Sequence, residues 1–116
     1  MKKFFKSFKN AGIGIGDAFK KGGNIYIHTI IAIATIMLGA YFSLTRTEWC
    51  IIIICMGMVI SAEMINTAIE FFVDKENGFV YNEQTRKIKD TSAGAVLVVA
   101  IMSAIVGLII FLPKCT

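Results

Sequence analysis

Cysteine is scarce and unpatterned in this chain. Cys50, Cys55 and Cys115 form no Cys-x-x-Cys pair and have no second metal ligand at zinc-finger distance, which excludes a structural zinc site. A nucleotide-cradling loop is also missing. Gly12, Gly14 and Gly16 alternate, but no strand precedes them, the Gly-x-Gly-x-x-Gly spacing is absent and no Gly-Lys-Ser or Gly-Lys-Thr of a Walker loop occurs. Those glycines are expected to thin one face of a helix for close packing. No small-residue cleavage site follows a short apolar core near the N-terminus, so a cleaved signal peptide is not expected. Internal repeats are lacking, which argues against a small proton-linked transporter.

What is abundant is apolar surface. Hydrophobic residues make up 56% of 116 residues and mean hydropathy is +0.71, too oily for a soluble domain of this size. Three runs, 25–44, 49–73 and 91–112, each approach the roughly 20 residues that span a bilayer core. The sequence therefore predicts an all-α membrane protein of one domain: an N-terminal amphipathic surface helix over 2–21 and three transmembrane helices. In the surface segment Phe4, Phe8, Ala11, Ile15 and Phe19 recur at three- or four-residue steps with lysines between them, the pattern of a helix lying in the interface. Gly22-Gly23 then breaks it as a hinge into the first span.

Charge is distributed unevenly about these runs. Lys2, Lys3, Lys6, Lys9, Lys20 and Lys21 precede the first, and Lys75, Arg86, Lys87 and Lys89 lie between the second and third, against Arg46 and Lys114 elsewhere. The positive-inside rule places the N-terminus and the 74–90 loop of this multi-pass chain in the cytoplasm. The net charge of +4 is a topology signal with attraction for anionic lipid, and implies no nucleic-acid partner. Ser43 to Glu48 should turn the first two spans into a hairpin marked by Tyr41 and Trp49, and Asn77-Gly78 should form a turn in the polar loop. Ser92 to Ala95, with Ser103, Ala104 and Gly107, suit close helix packing. His28, the one histidine, reads as a hydrogen-bonded interfacial residue.

Polar residues inside the second run are the exception that needs a reason. Glu63, Asn66, Glu70 and Asp74 fall at roughly 0°, 300°, 340° and 20° around a helix, a single stripe within about 80° of arc. A charge at bilayer depth costs on the order of 3 kcal/mol by insertion scales, so a buried acid there points to function. The stripe is about 16 Å long, with Asp74 at the interface and Glu63 deepest. The shallow acids can reach hydrated ions and phosphates. Glu63, among Met56, Val59 and Ile60, is placed to take a proton from a buried alcohol. Lys89 at the opening of the third span supplies a cation at the level of Asp74, and the helix start adds a positive dipole end. Together these groups describe phosphoryl transfer from a soluble donor to a lipid hydroxyl.

Glu63-x-x-Asn66-Thr67-Ala68-Ile69-Glu70-x-x-x-Asp74, followed by Lys89-Asp90-x-x-Ala93-Gly94-Ala95-Val96-Leu97, resembles the signature of the small bacterial membrane diacylglycerol kinases and undecaprenol kinases. The resemblance spans nearly the whole chain. It implies a homotrimer with active sites between subunits, using ATP with Mg²⁺ to phosphorylate a membrane lipid alcohol. It also implies Glu63 as the catalytic base, Glu70 as a nucleotide-site residue and magnesium ligand, Asn66 and Asp74 as polar active-site residues, and Lys89 with Asp90 as nucleotide contacts. Asn24-x-x-x-His28 and the Ala93 to Leu97 run are more similar to the undecaprenol-type branch. One position departs from the pattern: the family usually carries a glutamate metal ligand two residues before Asn24, where this chain has Gly22. Asp17, the nearest acid, would face another side of the helix. An active kinase with a weakened metal site and a non-enzymatic membrane assembly or regulatory protein both stay open, and restoring Gly22→Glu is expected to tighten ATP.

Overall fold

The computed structural model describes residues 1–76, 78 and 80–116. Helix α1 (Lys2–Lys21) is followed by α2 (Asn24–Tyr41), α3 (Arg46–Glu76) and α4 (Glu83–Phe111), which tightens into a 3₁₀ turn over Leu112–Cys115; no strand occurs among the described residues. The last three helices are long and apolar enough to cross a membrane. Their backbone polar groups are satisfied within each helix, as a bilayer core demands. Only 6% of the most apolar stretch of α4 is buried within the chain, so nearly all of it is left to face lipid or neighbouring chains. This is an integral membrane protein with an extra N-terminal helix.

Helix α1 carries Phe4, Phe5, Phe8, Ile13 and Ile15 as exposed apolar residues, with Phe4 and Phe8 in edge-to-face contact at 4.9 Å between centroids. Only Ala18 of α1 is buried. The glycines of α1 close-pack against nothing within the chain: no atom lies within 4 Å of a Cβ built at Gly12, Gly14 or Gly16. Instead Gly14 lines a cavity of about 510 Å³ between α1 and α3, with Asp17, Ala18, Met64 and Thr67 among its walls. Gly94 and Gly107 of α4 likewise meet no neighbour within 4 Å, so the small residues there open space rather than fill it.

The elbow between α1 and α2 has both glycines at positive φ, Gly22 at 76° and Gly23 at 81°. The Tyr26 hydroxyl donates to the Phe19 carbonyl at 2.6 Å and its ring stands edge-on to Phe19, tying the last turn of α1 to the first of α2. Helix α2 ends at Tyr41, and the hairpin passes through Ser43 at φ 53°. The next helix starts on a reciprocal cap: Thr45 N–H donates to Glu48 Oε1 at 2.9 Å and Glu48 N–H to Thr45 Oγ1 at 3.2 Å. Gly39 makes the hairpin possible, since a Cβ there would stand 2.7 Å from Trp49 and 2.9 Å from Leu44. Leu44, Ile52 and Ile110 form the buried apolar cluster at this end, with Lys114 pairing to Glu48 at 3.1 Å.

At the opposite end the polar connection is shorter than the sequence suggests. Helix α4 begins at Glu83, eight residues before the expected span, because Asn82 and Thr85 cap it reciprocally, with 2.9 Å bonds in both directions. Asn77 of the expected Asn77-Gly78 turn lies outside the described residues, while Gly78 has φ 57°. Helices α3 and α4 pack most extensively against each other, with α2 against α3 and α1 touching both α2 and α3.

Candidate active site

Four polar residues of α3 share one face, and the neighbouring helices decide what each meets. Glu63 and Asn66 are 5% and 4% exposed, far drier than the acids nearer Asp74. Thr67, one residue from Asn66, turns its hydroxyl back to the Glu63 carbonyl at 3.0 Å and stays off the stripe. Asn66 is the pivot. Its Nδ2 donates to Glu70 Oε1 at 2.9 Å, and its Oδ1 accepts from Ser92 Oγ of α4 at 2.6 Å. Its amide is therefore oriented from both ends, and it in turn fixes the rotamer of Glu70.

Further along, Asp74 Oδ1 accepts from Lys89 Nζ at 2.5 Å, a charge-assisted bond between α3 and α4. Glu70 Oε2 is ion-paired with Lys21 Nζ at the end of α1. Lys89 is thus brought to the stripe as expected, but its neighbour Asp90 is not. Asp90 is 64% exposed at its side chain and pairs with Arg86 Nη1 at 2.9 Å, one helical turn back, while Arg86 also engages Glu83. Adjacent residues on a helix point about 100° apart, so Lys89 and Asp90 cannot both face α3.

The deep end is different. Glu63 Oε2 is buried and has no hydrogen-bond partner among the described residues; His28 Nε2 of α2 stands 3.7 Å away, beyond hydrogen-bond range. An unpaired buried carboxylate oxygen costs more than an ordinary lost hydrogen bond. It lines a cavity of about 310 Å³ with Asn24, Ile27, His28, Asn66 and Ala93. Beyond His28 and Ala100 a second, apolar cavity of about 280 Å³ continues along α2, α3 and α4 past Thr35, Met56 and Ala104 to Phe111. The arrangement suits an amphipathic molecule: one polar donor for Glu63, and an apolar remainder in the trough.

Sequence reasoning assigned His28 an interfacial role, passed over Lys21 as one of a basic run, and took Ser92 for a packing residue. All three belong to this site. The spacing Asn24-x-x-x-His28, one helical turn, was the signal that two polar residues of α2 share a face. For Lys21 and Ser92 no signal exists without the docking of α1 and α4 on α3.

The site can be tested against a magnesium ion, which the resemblance implies. No group of three His, Cys, Asp or Glu residues among the described residues could form a metal cage. Glu70 offers a single partly exposed carboxylate, and Gly22 has none to add. That donor set fits Mg²⁺, which keeps its waters and takes one or two carboxylates plus substrate phosphates, and does not fit a cation needing many protein oxygens.

Residues 9–111 match the family described as prokaryotic diacylglycerol kinase. The chain is 40% identical over 114 residues to the undecaprenol kinase of Bacillus subtilis (strain 168), covering 98% of this chain and 92% of that protein. It is 36% identical over 107 residues to the diacylglycerol kinase of Synechocystis sp., covering 92% of this chain and 61% of that longer protein. No solved structure matches. With nearly its full length matched and both halves of the polar signature in place, the chain belongs to the prokaryotic diacylglycerol kinase family.

Proposed function

We propose that this protein is a lipid kinase that transfers the terminal phosphoryl group of ATP to the hydroxyl of a membrane lipid alcohol, undecaprenol or diacylglycerol. The observation that carries the reading is the orphaned Glu63 Oε2, buried in the wall of a cavity that meets an apolar trough at His28 and Ala100. A lipid hydroxyl entering that cavity donates to Glu63 and leaves its chain in the trough. Glu63 takes the proton as the hydroxyl oxygen bonds to phosphorus and the bond to the ADP oxygen breaks, with His28 as the adjacent group able to hold the carboxylate in place. Asn66 orients Glu70 through its Nδ2, and Lys89 and Glu70 meet the nucleotide side. A magnesium ion held by Glu70 and the nucleotide's phosphates would neutralise charge on the transferred group.

Identity to the relative named undecaprenol kinase, higher and more complete than to the one named diacylglycerol kinase, supports undecaprenol as the preferred alcohol. The basic flanks support a cytoplasmic N-terminus and an inner-membrane location, where the nucleotide is available. The protein measures 53 × 43 × 19 Å, a layer too thin to shield both faces of α3 and α4, and the sparse burial of α4 supports assembly with further copies, as a homotrimer by family resemblance. The competing reading, a non-enzymatic assembly or regulatory protein, is favoured only by Gly22.

A labelled-ATP assay in bilayers, with undecaprenol and diacylglycerol side by side and with and without magnesium, tests the proposal. It predicts magnesium-dependent label in at least one lipid, more in the prenol. Nucleotide binding without label in either lipid would favour the non-enzymatic reading.

A further inference from the structure

Glu70, the carboxylate to which the proposed function gives the divalent cation, already holds a cation belonging to the chain. Lys21 Nζ is ion-paired with its Oε2, and Asn66 Nδ2 occupies its Oε1 at 2.9 Å. The same ammonium lies over the Phe71 ring, 5.1 Å from its centroid. The attachment point of Lys21 is fixed by the Gly22-Gly23 elbow and by the Tyr26 bond to Phe19, so the lysine is presented to α3 by the backbone. Its four-carbon stem is not fixed.

The pair is half-open, with the two side chains 31% and 30% exposed, so an ion from solvent can compete for it. A doubly charged ion at Glu70 repels the ammonium from the same oxygen. The displaced lysine stays within its stem's reach of the site, and the negative charge that arrives with the ion is the polyphosphate. In this chain Gly22 stands where the family resemblance would put an acid, and Lys21 is the residue before it. The corner therefore has one protein carboxylate and one tethered cation.

We infer that Lys21 is an exchangeable counter-ion of Glu70: it holds the carboxylate in the nucleotide-free protein, yields it to the divalent cation, and turns onto the phosphate oxygens of the nucleotide bound with that cation. The inference rests on Glu70 being the metal carboxylate of the proposed function. It predicts effects of opposite sign when the ammonium is removed. The metal alone should bind better, having lost a competitor, and the nucleotide should bind less well, having lost a partner.

Mn²⁺ serves as the probe, its binding to the full-length protein in detergent followed by electron paramagnetic resonance, first alone and then with a non-hydrolysable ATP analogue. Lys21→Met keeps the apolar stem and removes the charge. Mn²⁺ alone should bind about two- to fivefold more tightly, and the analogue at saturating Mn²⁺ about two- to fivefold more weakly, the range of a half-exposed ion pair. Lys21→Arg should stay within about twofold of the parent in both. Unchanged Mn²⁺ affinity in Lys21→Met overturns the inference, as does weakening of both ligands, which marks a merely structural lysine. Tightening of both overturns the phosphate contact. Glu70→Gln separates the two layers. If it binds Mn²⁺ with the analogue as well as the parent does, the metal assignment of the proposed function fails. If the site depends on Glu70 and ignores Lys21, only the counter-ion inference fails.

Discussion

Gly22→Glu, which would return an acidic residue to the position where the family usually has one, should destabilise this protein rather than repair it. Gly22 sits at φ 76° and ψ −153°, a region of backbone space essentially closed to residues with a Cβ. Holding an L-residue there costs of order 1–3 kcal/mol. A Cβ at this position would also stand 3.3 Å from the Tyr26 ring, whose hydroxyl anchors the Phe19 carbonyl. Losing that bond adds about 1 kcal/mol. The sum, about 2–4 kcal/mol, is a large fraction of the stability of a small protein, so the folded population should fall. The sequence-based expectation that a glutamate at 22 tightens ATP therefore meets a backbone cost at this elbow. Reversible unfolding in mixed micelles, followed by far-ultraviolet circular dichroism, measures the cost. Gly22→Ala should match Gly22→Glu within about 0.5 kcal/mol, because the backbone and not the charge is responsible. Gly14→Ala, on an open helix face, should be neutral or stabilising by about 0.5–1 kcal/mol. Wild-type stability with tighter nucleotide binding in Gly22→Glu would refute the elbow described above.

Three further outcomes follow from contacts in the structure. Gly39→Ala should cost about 1–3 kcal/mol in the same unfolding experiment, since its Cβ would stand 2.7 Å from Trp49; no loss of stability would mean the hairpin is looser than described. Asn66→Ala strips a partner from both Glu70 and Ser92 and should lower stability by about 1–3 kcal/mol along with turnover, whereas Ser92→Ala, keeping the Asn66–Glu70 bond, should retain most of the rate. Lys89→Met should raise the KM for ATP roughly tenfold or more through loss of a charge-assisted contact, and an unchanged KM would leave Lys89 only its ion pair with Asp74.

The helical architecture was readable because it depends on local quantities. Apolar runs of bilayer length announce α2, α3 and α4, and Phe and Lys spacing announces α1. The polar stripe was readable for the same reason, since Glu63, Asn66, Glu70 and Asp74 lie on one helix whose rotation per residue is fixed. The start of α4 was not, because its capping box uses Thr85 where a glutamate or glutamine is the usual signal. Asp90 was paired with Lys89 through the resemblance, and the four-residue step to Arg86 was the local signal for the ion pair it makes within α4. What lay beyond reach was everything set by docking between helices: His28 beside Glu63, Ser92 on Asn66, Lys21 on Glu70. Within one chain the glycines of α1 and α4 meet no neighbour, since small residues permit close approach without requiring it.

Lipid phosphorylation by Glu63→Gln tests the account at its centre. The substitution keeps the shape of the side chain and removes the carboxylate oxygen that stands unpaired beside His28. Turnover should fall by about 10²–10⁴, the contribution of a positioned general base. Nucleotide binding should stay within about twofold and stability be equal or higher, since a neutral amide is easier to bury than a charge. A variant that phosphorylates lipid at more than about a tenth of the wild-type rate would contradict the assignment of proton transfer to Glu63.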